Sequence, residues 1–468
     1  MSTAQRDATV SATDHSFRYF LYAYRTPILL ILLTAFALRL VLAIGFPRDA
    51  DDEIRYTSPA VNMLAGRGFS SDVSEPIRPS EHTVPVYPFF IATVYFVFGQ
   101  HNVAVRIAQS AIDLITCLLV AFISFNLAPP SQKRSAAMSA LIIYGCLSWF
   151  TVSWTRYILT ETLATFVTVL AVAVSIMAFR NERWRWPVVG LICGVALLTR
   201  ADSVLLVTAF GLFLSFHIVR RRSAKSVLSL LLFCSTIPLV LAPWIVRNYL
   251  ALGKFQPLAS PTGRPHGEYV ATGYMRWVGT WMTDQTHYKA YEPVLYPGLG
   301  IFDPNELPDD AFDSAEERKQ VFQLLAQYDR EGRLTPEVSE SFRTIANERI
   351  KRKPLRFFVR LPSRRIAGMW LTGFATNNPL HRFVRILLVL PIIVGGIVAF
   401  VFLTWNSRLS QLLVLIIVTR TVAFGFLNSS EHYIVEAYAP MIAACGVTVA
   451  ALWSRMYRRL SSLRLFAC

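Results

Sequence analysis

The sequence predicts an all-α polytopic membrane protein with about ten transmembrane spans. Of its 468 residues, 54% are hydrophobic and only 16% are charged, whereas soluble domains carry about 25% charged residues. A soluble globule of this length would lack the polar side chains needed to cover its surface. The composition therefore excludes intrinsic disorder, fibrous repeats and an ordinary cytosolic enzyme.

A helix needs about 20 residues to cross the core of a bilayer. Apolar runs of about this length recur along the chain. The candidate spans are 27–46, 104–127, 136–155, 159–179, 187–199, 203–219, 226–246, 383–403, 410–427 and 437–454. The stretch Val84–Gly99 is apolar but short, and it contains Pro85 and Pro88. We expect it to form a helix at the membrane interface, and an eleventh span is the alternative.

Basic residues predict the orientation of these spans. The formal net charge is +16, and much of it lies between apolar runs, which favours membrane topology over nucleic-acid binding. With the N-terminal segment inside, the connections PPSQKRS, RNERWR and RRRSAK all face the cytoplasm, as the positive-inside rule requires. An eleventh span at Val84–Gly99 would place them outside, so ten spans are favoured.

This topology divides the chain into five parts. The second outer segment contains two stretches of helical periodicity, about 311–330 and 336–352, with start signals at Asp313 and Pro336. It is predicted to be a small helical insert. The parts are a cytoplasmic segment 1–26, a transmembrane catalytic module 27–246 with the outer loop 47–103, an outer loop 247–382, C-terminal transmembrane helices 383–454 and a cytoplasmic tail 455–468.

Ionisable residues at the predicted outer ends of spans mark candidate functional positions, because charges at membrane depth are costly. The fifth run covers about 14 residues, or roughly 21 Å of helix, so its corner with Arg200 and Asp202 should lie below the surface. These two residues should face a wet cavity, pair with each other, or both. Arg39 is expected to extend its side chain to the interface. The remaining charged residues of this kind are Arg156, Glu161 and Arg247.

The first outer loop begins with four carboxylates, which are Asp49, Asp51, Asp52 and Glu53. An amphipathic helix follows at once and should hold them at the membrane surface. A second polar group, Arg78, Glu81 and His82, precedes the Val84–Gly99 stretch. A carboxylate held in this way can accept a proton from a hydroxyl while arginines hold a phosphate.

Several motifs, in this order, resemble the GT-C superfamily of polyprenyl-phosphate-sugar-dependent glycosyltransferases. The resemblance is to the protein O-mannosyltransferases and to the bacterial transferases that add aminoarabinose or galacturonic acid to lipid A. It covers most of the chain and runs through DDEIRYTSPAVNMLAGRGF, VPVYPFFIATVYFVFG, ILTETLA, GVALLTRADSVLL, PWIVRNYLALGKFQPL and ANERIKRKPLRFFVRLPSRRIAGMW. The late stretch EHYIVEAYAPM departs from the family, since no Arg lies beside its Tyr.

The resemblance implies inverting transfer of a sugar from a polyprenyl-phosphate donor to an acceptor hydroxyl on the outer side. Asp52 is implied as the base, with Glu53 in an orienting role. His82 and His266 could contribute to a divalent metal site, although surface histidines are the simpler interpretation. The implied substrate-binding residues are Tyr56, His82, Glu161, Arg200, Arg247 and His266.

Two other functions compete with this one. A transporter or flippase of lipid-linked sugars should show inverted repeats, and none is evident in the sequence. A membrane scaffold would leave the charged corner residues unexplained. The absence of a repeated Pro-rich lumenal domain favours a bacterial inner-membrane enzyme whose site faces the periplasm, with a glycolipid, a polysaccharide or a protein as acceptor.

Overall fold

The computed structural model describes residues 16–50, 52–179, 185–259, 269–283, 289–295, 303–372, 379–427 and 430–465. Over these ranges the chain folds into helices and turns, without a β-strand. It forms two compact units. The first comprises Met1–Gly263, Leu390–Thr419 and Val435–Cys468, and the second comprises Arg264–Val389 and Arg420–Ile434.

The α-helices are numbered in chain order. The first half of the chain contains α1 (Phe17–Ala23), α2 (Arg25–Leu40), α3 (Ile54–Leu64), α4 (Val86–Phe98), α5 (Asn102–Leu127), α6 (Lys133–Ile142), α7 (Trp149–Ser153), α8 (Glu161–Ala178), α9 (Arg185–Thr199), α10 (Val204–Arg221) and α11 (Ala224–Leu252). The second half contains α12 (Thr272–Val278), α13 (Glu292–Leu295), α14 (Ala315–Glu331), α15 (Pro336–Arg352), α16 (Leu361–Ala367), α17 (Pro379–Val398), α18 (Arg408–Leu427) and α19 (Val435–Leu465).

Most of the predicted spans form helices that are long enough to cross a membrane. Within the described ranges, eight helices are long and apolar enough to cross a membrane. A bent pair, Pro130–Leu147 and Trp149–Arg156, with an angle of 49° between its parts, makes a ninth span if the two parts are counted as one. The fifth predicted span is α9, whose 15 residues extend only about 22 Å and place it among the shorter apolar helices. The fold is therefore the polytopic, all-helical membrane fold that the sequence predicted.

The bend of the third predicted span lies at Ser148, where the backbone leaves the helical region (φ −80°, ψ 89°). A π-helical turn, Ile143–Leu147, precedes it. The Ser148 hydroxyl accepts a hydrogen bond from the Thr151 amide at 3.4 Å and caps α7. The bend directs the following turn, which ends at Arg156, back toward the first outer loop.

The predicted interfacial stretch is α4, which has 13 residues and therefore extends only about 20 Å. It ends at Gly99, whose φ of +82° suits a residue without a Cβ atom. The preceding helix α3 packs against α4, with Ala60 buried beside Tyr87 and Ile91. This packing fixes the acidic segment that leads into α3.

The second unit has its own aromatic core. Tyr274, Trp277 and Phe342 pack together where α12 lies against α15. The two predicted helices are confirmed as α14 and α15. Pro336 is the first residue of α15, as predicted, but the predicted start signal of α14 is wrong by one residue, because Ser314 rather than Asp313 caps its Glu317 amide.

Candidate active site

Four polar side chains form a stripe along α5, a helix that is otherwise largely apolar. Their spacing of four, three and four residues places Asn102, Arg106, Gln109 and Asp113 on one helical face. The last three are buried inside the first unit. Ionisable groups within a membrane helix need partners. The partners of these four side chains therefore show which parts of the chain meet here.

The first end of this stripe holds Glu53, one member of the predicted acidic pair. Asn102 Nδ2 donates to Glu53 Oε1 at 2.6 Å, and Arg106 Nη2 lies 3.6 Å from Glu53 Oε2. Arg106 also pairs with Asp49 at 3.0 Å, and its Nε donates to the Arg156 carbonyl at 2.9 Å. Asn102 and Arg106 thus fix the orientation of the Glu53 carboxylate.

The environment of Glu53 also changes its acidity. Burial raises the pKa of its carboxyl, the Arg106 charge opposes this rise, and the Asp49 charge adds to it. Glu53 Oε2 is buried, and no described residue donates a hydrogen bond to it. Glu53 is therefore a carboxylate with one oxygen held in place and the other available to a further hydrogen-bond donor.

Asp52 lies in a different environment from its neighbour Glu53. Its side chain is 55% exposed and forms an ion pair with Arg55 at 3.1 Å. Because a base must reach the substrate, an accessible Asp52 beside an oriented Glu53 is compatible with the predicted roles, which remain predictions. Asp51, the other predicted carboxylate of this segment, lies outside the described residues.

The corner after α9 collects three carboxylates around one guanidinium. Arg200 Nη1 donates to Glu161 Oε1 at 2.7 Å, and its Nε and Nη2 donate to the two Asp202 oxygens at 3.0 Å each. Glu436 lies 3.8 Å away and accepts from the Thr168 hydroxyl at 2.8 Å. The predicted pairing of Arg200 with Asp202 is confirmed, and the Arg200 side chain is only 10% exposed.

Tyr56 lies in the first turn of α3, directly after the acidic segment. Its ring packs edge-to-face on Tyr87 with centroids 5.2 Å apart. Burial raises the pKa of the Tyr56 hydroxyl, the Glu161 charge raises it further, and the Arg200 and Asp52 charges act on it with opposite signs. The charges of Asp52, Glu161 and Arg200 thus all act on the Tyr56 hydroxyl.

Arg247 has structural partners. Its Nη1 donates to the Ser80 carbonyl and its Nη2 to the Phe69 carbonyl, both at 2.8 Å. The guanidinium also stacks over the rings of Phe69 and Trp244, with its Cζ 5.3 and 5.0 Å from their centroids. Arg247 thus fastens the first outer loop to α11, while its predicted role at the donor phosphate stays a prediction.

The predicted metal site at His82 and His266 stays a prediction, because only His82 is among the described residues. His82 follows the buried Glu81, and its amide donates to the Ser80 hydroxyl at 3.2 Å. His266 lies outside the described residues. In the part of the chain that the structure describes, no three His, Cys, Asp or Glu side chains come close enough to hold a metal ion.

The structure contradicts the expectation that the Arg39 side chain extends to the membrane interface. The Arg39 side chain is instead fully buried, with Nε 2.7 Å from Asp113 Oδ2. Its Nη1 donates to the Gly145 carbonyl at 2.8 Å, and the Tyr144 hydroxyl donates to Asp113 Oδ1 at 2.8 Å. The prediction was wrong because α5 supplies a buried counter-charge, so the guanidinium needs no contact with water.

A cavity of about 600 Å³ opens beside the acidic segment, between the end of the first span and the bent third span. Two of its lining residues, Arg48 and Arg156, are basic, and none is acidic. Arg156 Nε is buried, and no described residue accepts a hydrogen bond from it. The apolar and small lining residues are Leu42, Gly45, Phe46, Pro47 and Trp149.

Sequence reasoning missed Asn102, Arg106, Gln109 and Asp113. The available signal was their helical spacing within a span that is otherwise mostly apolar. It also assigned no role to Glu436, which belongs to the late stretch EHYIVEAYAPM, whereas the structure places Glu436 beside Arg200. A carboxylate at the start of a long, buried apolar helix could have indicated such a contact.

Comparison with known proteins supports the resemblance. The family model for dolichyl-phosphate-mannose-protein mannosyltransferase matches residues 78–246. No curated protein matches the sequence.

Solved structures share the fold. The oligosaccharyltransferase of Archaeoglobus fulgidus in the apo form is 12% identical, with a TM-score of 0.54 over 93% of this chain and 52% of that one. The oligosaccharyltransferase AglB of the same organism, in complex with an inhibitory peptide and a dolichol-phosphate, is 13% identical, with a TM-score of 0.54 over 94% and 52% of the two chains. The present chain thus spans about half the length of these proteins.

A weaker likeness is found to ArnT from Cupriavidus metallidurans bound to undecaprenyl phosphate. It has a TM-score of 0.39 and 14% identity, and it covers 91% of this chain and 78% of that one. The family match over residues 78–246 and the fold shared with the oligosaccharyltransferase together confirm the GT-C superfamily resemblance of this chain.

Proposed function

We propose that this protein is a membrane glycosyltransferase that moves a sugar from a polyprenyl-phosphate donor to an acceptor hydroxyl. The observation that carries the proposal is that Arg106 contacts both the oriented carboxylate Glu53, which follows the accessible Asp52 in sequence, and the carbonyl of Arg156, which lines a basic cavity with Arg48. The family match and the dolichol-phosphate bound by AglB support a lipid-linked donor.

The proposed step is a direct displacement at the anomeric carbon. Asp52 accepts the proton of the acceptor hydroxyl while the hydroxyl oxygen forms a bond to the anomeric carbon. The bond from that carbon to the phosphate oxygen breaks, and its electron pair leaves with the polyprenyl phosphate. The configuration inverts because the acceptor attacks the face opposite the leaving group. Glu53, held by Asn102, orients the acceptor.

The leaving phosphate needs positive charge that is not already neutralised. Arg200 has paired carboxylates around it, and both terminal nitrogens of Arg247 donate to protein oxygens. We therefore propose that Arg48 and Arg156 join Arg200 and Arg247 in holding the donor phosphate. The apolar wall formed by Phe46 and Trp149, which are 63% and 53% exposed, suits the first units of a polyprenyl chain.

The positive-inside pattern supports a site on the outer, periplasmic side of a bacterial inner membrane. Under this topology the acidic segment, the Arg200 corner and the basic cavity all lie at the outer ends of spans. A glycolipid, a polysaccharide and a secreted protein each carry hydroxyls that could reach Asp52 from that side.

Replacing Asp52 by Asn tests the proposal. We expect transfer to fall by about 10²–10⁴-fold, the usual contribution of a general base. Because the side chain is 55% exposed, the variant should fold normally. Release of polyprenyl phosphate by the purified protein, supplied with polyprenyl-phosphate sugars and acceptor, measures the rate.

Asp329→Asn provides the matched control, since it removes an exposed carboxylate on α14. Full activity of Asp52→Asn would remove Asp52 as the base. No release of lipid phosphate by the wild-type protein with any donor would instead favour a transporter of lipid-linked sugars.

A further inference from the structure

A second basic region lies in the other unit, where the chain runs from the end of α15 through a π-helical turn, Arg356–Arg360, into α16. Arg352, Arg356, Arg360 and Arg364 follow one another at intervals of four residues, and Lys353 accompanies them. All five line a cavity of about 580 Å³, whose single acidic lining residue is Asp310. We call this cavity the basic groove.

The cations of the basic groove are only partly neutralised. Arg356 pairs with Asp313 at 2.7 Å, and Lys353 lies 3.4 Å from the same carboxylate. Arg360 and Arg364 are exposed, and neither has an ion-pair partner among the described residues. Like charges four residues apart on a helix repel each other, so the groove favours an anion that bridges them.

Apolar side chains on the same segment are exposed. Leu355 is 75% exposed, and Phe358 and Val359 are each 55% exposed. A short segment that combines a cationic row with exposed large apolar groups is typical of helices that lie at a membrane interface. The apolar groups can enter the lipid while the cations meet the headgroups.

Hydrogen bonds within this unit place the segment at the end of a spanning helix. Trp370 Nε1 donates to the Thr421 hydroxyl at 3.1 Å, and Arg365 Nη1 donates to the Phe426 carbonyl at 3.3 Å. Thr421 and Phe426 belong to the last turns of α18, which is long and apolar enough to cross a membrane. The residues that directly follow the basic groove therefore contact the last turns of a helix that can cross a membrane.

We propose that the basic groove binds the phosphate headgroups of anionic membrane lipids. Several guanidinium groups converge on one cavity, and arginine is well suited to phosphate because its donors form a planar fork. The site is separate from the transfer reaction proposed above and does not depend on it. Its chemistry predicts preference for anionic over zwitterionic lipids.

Lipid binding to the full-length protein in neutral detergent tests this proposal. Native mass spectrometry with added phosphatidylglycerol would compare the wild type with Arg360→Gln/Arg364→Gln. Each surface arginine contributes about fivefold in affinity for anionic lipid, so we expect roughly 25-fold weaker binding in the double variant. Arg330→Gln/Arg333→Gln, which removes two exposed arginines outside the groove, should bind like the wild type.

Phosphatidylcholine should bind far more weakly than phosphatidylglycerol, and inorganic phosphate at millimolar concentration should not displace the bound lipid. Equal lipid affinity in the wild type and the groove variant would overturn the proposal. Displacement by inorganic phosphate would also overturn it, in favour of a site for a soluble phosphate. Because both variants change exposed residues, their unfolding temperatures should match the wild type and confirm that they fold.

Discussion

The two ends of the polar stripe on α5 use similar chemistry in opposite ways. At one end, Asp113 pairs with Arg39, and their side chains are 3% and 0% exposed. At the other end, Arg106 pairs with Glu53 and Asp49, whose side chains are 12% and 90% exposed. The first pair is sealed, with hydrogen bonds to both carboxylate oxygens of Asp113, whereas the second leaves one Glu53 oxygen without a donor.

This difference indicates which ion pair has a structural role and which one can take part in a reaction. A buried pair whose hydrogen bonds are complete can hold helices together but offers nothing to a substrate. A pair that is incomplete and open at one side retains a lone pair and a charge that a bound molecule can use. Breaking the sealed pair should therefore affect folding, and breaking the open pair should affect transfer.

Replacing Arg39 by Met gives the largest expected effect. It leaves the Asp113 carboxylate buried without its counter-charge, which should lower the free energy of unfolding by about 3–5 kcal/mol. Denaturant titration in mild detergent measures this loss.

The double variant Arg39→Met/Asp113→Asn supplies the control for Arg39. It removes both charges and keeps an oxygen that accepts from the Tyr144 hydroxyl, so most of the stability should return. If the double variant is no more stable than Arg39→Met, then the lost charge pairing is not the cause of the destabilisation.

Asn102→Ala should give a smaller effect, on transfer rather than on folding. Without the bond from Asn102 Nδ2, Glu53 loses a hydrogen bond to a charged group, of the kind that contributes about 1.5–3 kcal/mol. We expect a drop in kcat of roughly 10- to 100-fold, since 1.4 kcal/mol corresponds to a factor of ten.

Asn126→Ala is the matched control, because Asn126 lies near the other end of α5 and, among the described residues, donates only to the Phe122 carbonyl, at 2.8 Å. It should leave kcat unchanged. Equal losses in both variants would mean that α5 tolerates no change of this type, and Asn102 would then have no specific link to Glu53.

The pH dependence of stability should give the smallest effect. The pKa of Glu53 is raised by burial in the folded protein. The contribution of Glu53 to the free energy of unfolding is therefore fully present below the unfolded pKa of about 4.3. It is lost as the pH rises through the raised value. Glu53→Gln should therefore be more stable than the wild type near pH 8, and this difference should disappear below about pH 4.3.

For Glu337→Gln we expect a pH dependence of stability of the opposite sign. Backbone hydrogen bonding at the start of α15 lowers the pKa of Glu337, and Thr335 lowers it further. Its contribution is present above the unfolded pKa and is lost as the pH falls through the lowered value. An identical pH dependence of unfolding in the two variants would contradict the assigned environment of Glu53.

The sequence by itself determined the membrane class, most spans, the short α9 and α4, and α14 and α15 to within a few residues. Each depends on hydropathy or periodicity over about 10–30 neighbouring residues, which the chain carries locally. It also indicated that Asp52, Glu53, Glu161 and Arg200 are candidate site residues, since charges in or beside apolar runs are conspicuous.

Only the tertiary structure decided which charges meet. Arg39 and Asp113 are 74 positions apart in the chain, and the contact between Thr168 and Glu436 joins positions 268 apart. No local pattern specifies such a pair, because its geometry depends on how separate helices pack. The same packing decided that Glu53 is held while Asp52 is exposed, although the two residues are adjacent in sequence.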